Sequence, residues 1–444
     1  MSYFGTNGVR GRFDELTPEL SMKLAQAIGI YFKRGKIILA RDCRVTGEIL
    51  HSSAAAGLAS VGCEVVDLGM VSSPTAEFMI KKLAADGCVI ITASHNPPEW
   101  NAIKVVDGKG IAISRKRGAE IEKHLRKITL AEWNKVGKMM PYVFATEDHV
   151  EAIKKLVDTG KIAKRKPKII VDCGNGTASV IAPKLLKELG CEILSMNSHP
   201  DGRFPGRPSE PAEVNVQELL AAVKSAKADA GIAWDADGDR VIFVDERGGY
   251  VIGDKVYALS VLWKLRKQKG DVVTTVATSR AVEDVAERFG CKVRYTAIGA
   301  PHLCEELVKK PAVIGGEEVG GVIWPEMGLA KDGFLTAAKL AEALCEKPLG
   351  AWLKEIPAYY NVKLKIEADS EAKKKAIVER IRAYAKKNRL PCINVDGVRV
   401  NFKDSWIIVR SSGTENYVRL FAEARSMADA QKLAKEYGAI AKPP

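Results

Sequence analysis

A unit of strand, helix and strand that occurs three times constrains the fold of this 444-residue chain more than any other feature. In each copy an apolar run precedes a helical stretch, a Gly-Cys pair and a second apolar run, and the copies cover residues 35–66, 167–194 and 271–293. This order is typical of βαβ units, whose strands pair in parallel through a right-handed crossover. A chance likeness is the alternative, but the Gly-Cys pair shared by all three copies favours a repeat, and its glycine is suited to capping a helix.

Each copy continues into a further apolar run that ends in a polar loop. These runs cover residues 88–91, 230–234 and 312–316, and the loops that follow carry Ser94, Asp235 and Glu317. Ligands of open parallel sheets bind at the carboxyl ends of the strands. We therefore expect the three loops to line one central cleft.

Residues 357–444 do not follow the βαβ order. The pattern predicts a charged helix near 370–388, strands at 393–402, 406–409 and 417–422, and a final helix near 427–437. We predict an α/β protein with three related mixed-sheet α/β domains and a smaller C-terminal α+β domain. The predicted domain bounds are 1–148, 149–250, 251–356 and 357–444.

Composition excludes several classes of protein. Hydrophobic residues make up 46% of the chain, but no apolar run approaches the ~18 residues of a membrane span. The first residues lack the basic and apolar stretches of a secretion signal. The nine cysteines form no CxxC pair, which is typical of reduced cysteines in a protein of the cytoplasm.

The formal net charge of +13 allows two interpretations. A nucleic-acid-binding scaffold would concentrate its lysines and arginines in one stripe, often with aromatic residues between them. The lysines here are spread along the chain, with dense runs such as 373–375 in predicted surface helices. A solvated basic surface that attracts anionic substrates is the favoured interpretation.

The stretch from Thr92 to Lys104 offers a nucleophile. Ser94 follows an apolar run and precedes His95 and two prolines, so its hydroxyl is expected in an exposed loop. Serine needs a base or a polarising charge to react, and His95 and Lys104 are the candidates. A plain turn is the alternative for the Ser-His-Asn-Pro residues alone.

Asp235, Asp237 and Asp239 offer a site for a divalent cation. In an extended strand these positions share one face, and Gly238 allows the chain to curl around an ion. Mg²⁺ prefers such oxygen ligands. A calcium EF-hand loop, with Glu246 at its twelfth position, and a solvated turn are the alternatives. An EF-hand loop needs glycine at its sixth position, but this chain has Arg240 there. The strand-like flanks also argue against an EF-hand.

Two further segments are suited to anions. Residues 410–415 combine an arginine, hydroxyl side chains and a glycine, as in a phosphate-binding nest on a closing domain. Residues 4–11 contain three glycines and Arg10, which allows close approach of the backbone to an anion. An ordinary turn and a flexible chain start are the respective alternatives.

With these motifs in order along the whole chain, the sequence resembles the α-D-phosphohexomutase superfamily, and most closely its compact archaeal and bacterial members. Further matching segments are 172–176, 199–205 and 315–321. The resemblance implies a heart-shaped enzyme with three related domains and a smaller, mobile fourth domain around a central cleft. It implies transfer of phosphate between the 6- and 1-positions of an aldohexose through a phosphoserine and a sugar bisphosphate, which also serves as activator.

The resemblance also implies roles for individual residues. The phosphorylated serine would be Ser94, and one of its phosphate oxygens would bind Mg²⁺ together with Asp235, Asp237 and Asp239. Proton transfer, polarisation and support of the metal loop would fall to Arg10, His95, Lys104 and Arg240. Glu317 and the neighbouring Val319 would contact the sugar, and the unreactive phosphate would bind Arg410, Ser412, Gly413 and Thr414.

Four positions depart from the pattern of many members. Val319 and Gly321 replace the serine and histidine of the sugar loop, Ala297 replaces a frequent lysine, and Asn416 replaces a common proline. The sugar therefore stays open among glucose, mannose, glucosamine and pentose phosphates, and a phosphopentomutase or a phosphatase is an alternative. The expected partner is a small phosphosugar, with neither nucleic acid nor membrane, for a monomer or a homo-oligomer.

Overall fold

The first domain is built on a six-stranded sheet that helices cover on both faces. The computed structural model describes residues 3–5, 8–411 and 416–442. The elements of the first domain are β1 (Val9–Arg12), α1 (Pro18–Tyr31), β2 (Lys36–Arg41), α2 (Gly47–Ser60), β3 (Glu64–Met70), α3 (Ser73–Lys82), β4 (Gly87–Ile91), β5 (Trp100–Asp107), α4 (Arg115–His124) and β6 (Met139–Pro141). The order in the sheet is β1-β5-β4-β2-β3-β6. Alternate residues of β2 pack on opposite faces, with Ile37 and Leu39 in the core of α1 and α2 and Ile38 and Ala40 in the core of α3.

The second and third domains carry smaller sheets. The second contains α5 (Ala145–Lys154), α6 (Thr159–Arg165), β7 (Lys168–Asp172), α7 (Ala178–Glu188), β8 (Glu192–Met196), α8 (Gln217–Ala226), β9 (Ala230–Trp234), β10 (Val241–Val244) and β11 (Tyr250–Val251). The third contains α9 (Gly253–Lys267), β12 (Val272–Thr275), α10 (Ala281–Arg288), β13 (Val293–Thr296), α11 (Ala300–Lys309), β14 (Ile314–Glu317), β15 (Gly321–Ile323), α12 (Gly333–Leu344) and α13 (Leu349–Leu353).

The three sheets share one strand order, which confirms the predicted repeat. The orders are β5-β4-β2-β3, β10-β9-β7-β8 and β15-β14-β12-β13. In each order, the third strand pairs in parallel with both of its neighbours, and the first strand pairs with the second in an antiparallel manner. The glycines of the Gly-Cys pairs all follow a helix with positive φ, at 99° for Gly62, 96° for Gly190 and 68° for Gly290, as expected of a residue beyond a helix C-terminus.

The fourth domain is an antiparallel sheet with two helices. Its elements are β16 (Tyr360–Glu367), α14 (Glu371–Lys387), β17 (Cys392–Ile393), β18 (Val398–Asn401), β19 (Ser405–Ser411), β20 (Tyr417–Ala424) and α15 (Met427–Ala441). The prediction of one strand over residues 393–402 is wrong, because a turn separates β17 from β18. Gly397 in this turn has φ 77°, and an added Cβ would lie 2.3 Å from the carbonyl oxygen of Val409.

The cores show which domains pack tightly together. The second and third domains share one hydrophobic core, in which the rings of Trp234 and Phe334 stack with centroids 5.8 Å apart. Helix α5 crosses the predicted boundary at residue 148, with Ala145 in a core of the first domain and Val150 in the shared core. The predicted domain bounds therefore stay a prediction.

A smaller apolar cluster joins the third and fourth domains through Val276, Trp406 and Ile408. All nine cysteines are free thiols. No helix in the described part of the chain combines the length and the apolar character that crossing a bilayer would require.

Candidate active site

Ser94 lies in the loop between β4 and β5 and points at the second domain. Its φ of 53° is in the left-handed region, which non-glycine residues rarely adopt. Its hydroxyl donates a hydrogen bond to Oδ2 of Asp235 over 2.7 Å. The expectation of an exposed hydroxyl is wrong, because packing of the loop against the second domain buries the side chain. The structure thus brings the predicted nucleophile into contact with the predicted metal loop.

Arg44, which the sequence analysis did not single out, holds the Ser94 loop in place. Its fully buried guanidinium pairs with Asp42 at 3.1 Å. All five of its N–H groups are used, because the other four donate to the carbonyl oxygens of Ser94 (2.7 Å), Asn96 (2.6 Å), Pro97 (2.6 Å) and Trp100 (2.9 Å). Asp42 also accepts from Thr92 Oγ1, whose oxygen accepts from the backbone N–H of Ser94.

The three aspartates converge through a turn. The sequence analysis placed them on one face of a strand, but β9 ends at Trp234 and the residues after it turn back to β10. Gly238 makes this turn with φ 77°. One carboxylate oxygen from each aspartate lies within 4.8 Å of the others. Strands β9 and β10 flank the loop, whereas helices flank the calcium loop of an EF-hand.

The residues fit a hard divalent cation. Asp237 Oδ1 and Asp239 Oδ1 are buried and have no hydrogen-bond partner among the described residues. A buried carboxylate oxygen without a partner is costly, and a cation placed between these oxygens would satisfy both. The all-oxygen ligand set is the one that Mg²⁺ prefers.

Burial and neighbouring charges separate the pKa values of the aspartates. Burial, followed by repulsion from Asp237 and Asp239, raises the pKa of Asp235 to about 8. Burial also acts to raise the pKa of Asp237, but the Lys104 ammonium 2.5 Å away and the Ser73 hydroxyl 2.6 Å away hold it well below its usual range. Without a metal, Asp235 therefore retains a proton more readily than Asp237.

Basic side chains surround the acidic cluster. Lys104 Nζ lies 3.8 Å from Asp239 Oδ2, and Arg240 Nε lies 3.8 Å from Asp239 Oδ1. Arg10 donates to the side-chain oxygen of Asn96 in the Ser94 loop. These cations can offset the charge of a phosphoryl group on Ser94.

His95 lies beside the nucleophile as a neutral imidazole. Its Nδ1 is 3.5 Å from Ser94 Oγ. Burial, assisted by the positive charges of Arg240 and Arg10, lowers the pKa of His95 to about 3. The ring can therefore exchange a proton with a reacting oxygen without starting as a cation.

The loop of the third domain completes the cluster. Glu317 at the end of β14 is buried and accepts from Lys331 Nζ over 2.8 Å. Lys331, which sequence reasoning also missed, lies 3.2 Å from Asp239 Oδ2 and so links the third domain to the metal loop. Val319 lies in the turn before β15, where Gly320 has φ 83°. The structure brings the three equivalent loops into contact, and the central cleft that they were expected to line stays a prediction.

The predicted phosphate-binding segment is described only in part. Arg410 lies in β19 and pairs with Asp396 at 3.1 Å. Asp396 accepts from the backbone N–H of Ile298 in the third domain over 3.2 Å. Ser412, Gly413 and Thr414 lie outside the described residues. None of the contacts described for Arg410 reaches the Ser94 cluster.

Known proteins match nearly the whole length of the chain. Four family models match, described as phosphoglucomutase/phosphomannomutase alpha/beta/alpha domains I (residues 1–132), II (147–249) and III (252–360) and the C-terminal domain (361–438). The chain is 40% identical to a phosphoglucomutase/phosphomannomutase of Thermococcus kodakarensis, over 98% of this chain and 96% of the relative. It is 36% identical to a phosphoglucosamine/phosphogalactosamine mutase of Sulfurisphaera tokodaii, over 98% and 97%.

A solved structure has the same fold. It is a phosphoglucomutase/phosphomannomutase family protein of Burkholderia thailandensis, with a TM-score of 0.90 and 27% identity. The match covers 99% of this chain and 98% of the other.

Proposed function

Because this chain belongs to the phosphoglucomutase/phosphomannomutase family and is a phosphosugar mutase, we propose that it moves phosphate between the 6- and 1-positions of an aldohexose through phosphorylated Ser94. The contact between Ser94 Oγ and Asp235 Oδ2 at 2.7 Å carries the proposal. It joins a nucleophile from one domain to a cluster of metal-binding type from another.

In the first half-reaction the bond between Ser94 Oγ and phosphorus breaks, and a bond forms between phosphorus and the free hydroxyl oxygen of the sugar. The hydroxyl proton moves to Ser94 Oγ, so the products are a sugar bisphosphate and unmodified serine. His95, neutral and 3.5 Å from Oγ, relays this proton. Reorientation of the bisphosphate then presents its other phosphate to Ser94, and the same steps run in reverse.

Asp235, Asp237 and Asp239 would hold Mg²⁺ together with an oxygen of phosphoserine 94. When bound, the ion neutralises charge on the moving phosphoryl group. Lys104, Arg240 and Arg10 place further positive charge around the same position. Lys104 also holds Asp237 in its ionised form, ready to bind a cation.

Glu317 would accept hydrogen bonds from sugar hydroxyls, and Arg410, Ser412, Gly413 and Thr414 would bind the distal phosphate. The side chain of Val319 can neither donate a hydrogen bond to a hydroxyl nor accept one from it, so this position lacks the side-chain contact that a serine would supply. The preferred sugar is open among glucose, mannose, glucosamine and pentose phosphates. A cytoplasmic location, the oligomeric state and activation by a sugar bisphosphate also stay predictions.

A coupled assay tests the proposal directly. The 1-phosphates of glucose, mannose, glucosamine and ribose are supplied with Mg²⁺ and a trace of bisphosphorylated sugar, and isomerised product and free phosphate are both measured. The proposal expects a hexose isomer with little free phosphate. Excess free phosphate would identify a phosphatase, and turnover of ribose phosphate alone would identify a phosphopentomutase.

A further inference from the structure

Gly321 and Lys331 compete for one space beside the sugar-binding carboxylate. A Cβ on Gly321 would lie 2.4 Å from Cδ of Lys331 and 3.3 Å from Oε1 of Glu317. The backbone of Gly321 does not require glycine, because its φ lies outside the left-handed region. The lysine stem is therefore the main obstacle to a side chain at residue 321.

The position of Lys331 is fixed by the fold. It pairs with Ile323 across an antiparallel bridge at the end of β15, and Asp332, the next residue, caps α12 by accepting from two backbone N–H groups. The stem of Lys331 is thus directed back over the sugar loop. Its side chain is only 7% exposed.

The ammonium of Lys331 engages one oxygen of Glu317 and leaves the other available. Glu317 Oε1 accepts from Lys331 Nζ over 2.8 Å. No hydrogen bond to Oε2 is present among the described residues. Oε2 is also absent from the set of fully buried polar atoms that lack a partner, so it keeps some contact with solvent. The free oxygen is therefore accessible to a ligand, in a direction that the lysine sets.

We propose that Lys331 sets the sugar selectivity of this enzyme by orienting Glu317 and placing a fixed positive charge beside it. This inference rests on the proposed phosphohexomutase function. Lys331 acts here as a positioning residue for Glu317. With the lysine present, the pair is neutral and suits the uncharged hydroxyls of glucose or mannose. Without it, Glu317 would lose the positive charge that acts on it most strongly, with Arg240 and Lys104 remaining, and this loss favours a sugar bearing an ammonium group.

The test compares Lys331→Met with wild type on glucose 6-phosphate and glucosamine 6-phosphate. We expect KM for glucose 6-phosphate to rise more than kcat falls. We expect the ratio of kcat/KM for the amino sugar to that for glucose to rise about a hundredfold, the scale of removing one unit charge about 6 Å from another at an effective dielectric constant of about 20. Lys331→Arg, which keeps the charge, should retain most of the wild-type ratio.

Two further variants make the result specific. Lys339→Met is the matched control, because Lys339 is a second little-exposed lysine of the third domain, paired with Glu326 at 3.8 Å; its ratio should equal that of wild type. Gly321→Ala should shift the ratio in the same direction as Lys331→Met, because the methyl group displaces the lysine stem. Combined with Lys331→Met, it should add little.

Each outcome decides between the claims. A wild-type enzyme that isomerises no hexose phosphate would refute the proposed function, and the inference with it. An active wild type with an unchanged ratio in Lys331→Met would overturn the inference alone and leave Lys331 as a structural tie to Asp239. If Lys331→Met does not fold, the ratio in Gly321→Ala decides in its place.

Discussion

Replacing Arg44 with alanine should disable the enzyme although Arg44 is not proposed to touch the substrate. Its five N–H groups bind one carboxylate and four carbonyl oxygens, and its side chain is fully buried. Removing it leaves Asp42 as a buried charge without its partner, which costs about 3–5 kcal/mol in comparable cases. Each buried carbonyl that loses its donor adds about 1–3 kcal/mol unless the loop opens to water.

The Ser94 loop is expected to open, since opening costs less than leaving these groups unpaired. We therefore expect the urea midpoint to fall and kcat/KM to fall about a hundredfold, the scale of a misplaced catalytic group. Arg44→Lys should recover little, because an ammonium has three donors and cannot reproduce the planar fork. Arg203→Ala, which removes an exposed arginine paired with Asp201, is the matched control and should change neither quantity much.

Circular dichroism in urea and the coupled mutase assay measure the two effects. Wild-type stability and kcat/KM in Arg44→Ala would refute the account of how the loop is held. Lost stability with wild-type kcat/KM would show that the Ser94 geometry survives without Arg44.

Three further predictions concern the nucleophile and the metal loop. Ser94→Ala should keep less than about a hundredth of the mutase activity, and near-wild-type rates would remove Ser94 from the mechanism. Asp237→Ala should lose activity and Mg²⁺ dependence together; an unchanged metal titration would contradict the role of the loop. Because the pKa of Asp235 is raised from 3.8 to about 8, its ionisation opposes folding. The metal-free protein should therefore lose stability as pH rises through that window, while Mg²⁺ affinity, measured by calorimetry, should rise and level off above it. Affinity independent of pH would contradict this assignment.

Local patterns in the sequence were sufficient to predict the repeated architecture. Apolar runs and capping glycines such as Gly62 act over a few residues, so they predicted three related βαβ units, and the structure adds that their sheets share one strand order. The rule that ligands bind at the carboxyl ends of parallel strands predicted that the loops after equivalent strands would lie together. Local patterns failed at Gly397, where a single left-handed residue makes a turn within a run that otherwise reads as extended. At Gly238 the glycine itself indicated that the chain could curl, and the structure has a turn there.

The supporting residues of the site could not be predicted in the same way. Asp42 follows β2, at the sheet edge that carries the Ser94 loop, so its position offered a signal. The bonds of Arg44 to the carbonyls of the Ser94 loop offered none, because they join segments about 50 residues apart. Lys331 meets Asp239 only after two domains pack together, and no local pattern reports such a contact.

The most direct measurement of the central claim is mass spectrometry of Ser94 during turnover. Protein incubated with Mg²⁺ and a hexose 1,6-bisphosphate whose phosphates carry a heavy oxygen isotope is digested, and the peptide that contains Ser94 is compared with the same peptide after a chase with excess unlabelled hexose 6-phosphate. The account predicts one labelled phosphate on Ser94 that the chase replaces with an unlabelled phosphate, because each turnover returns the opposite phosphate of the bisphosphate to the serine. A phosphate that resides on another residue, or a label that stays on Ser94 while the enzyme isomerises sugar, would contradict it.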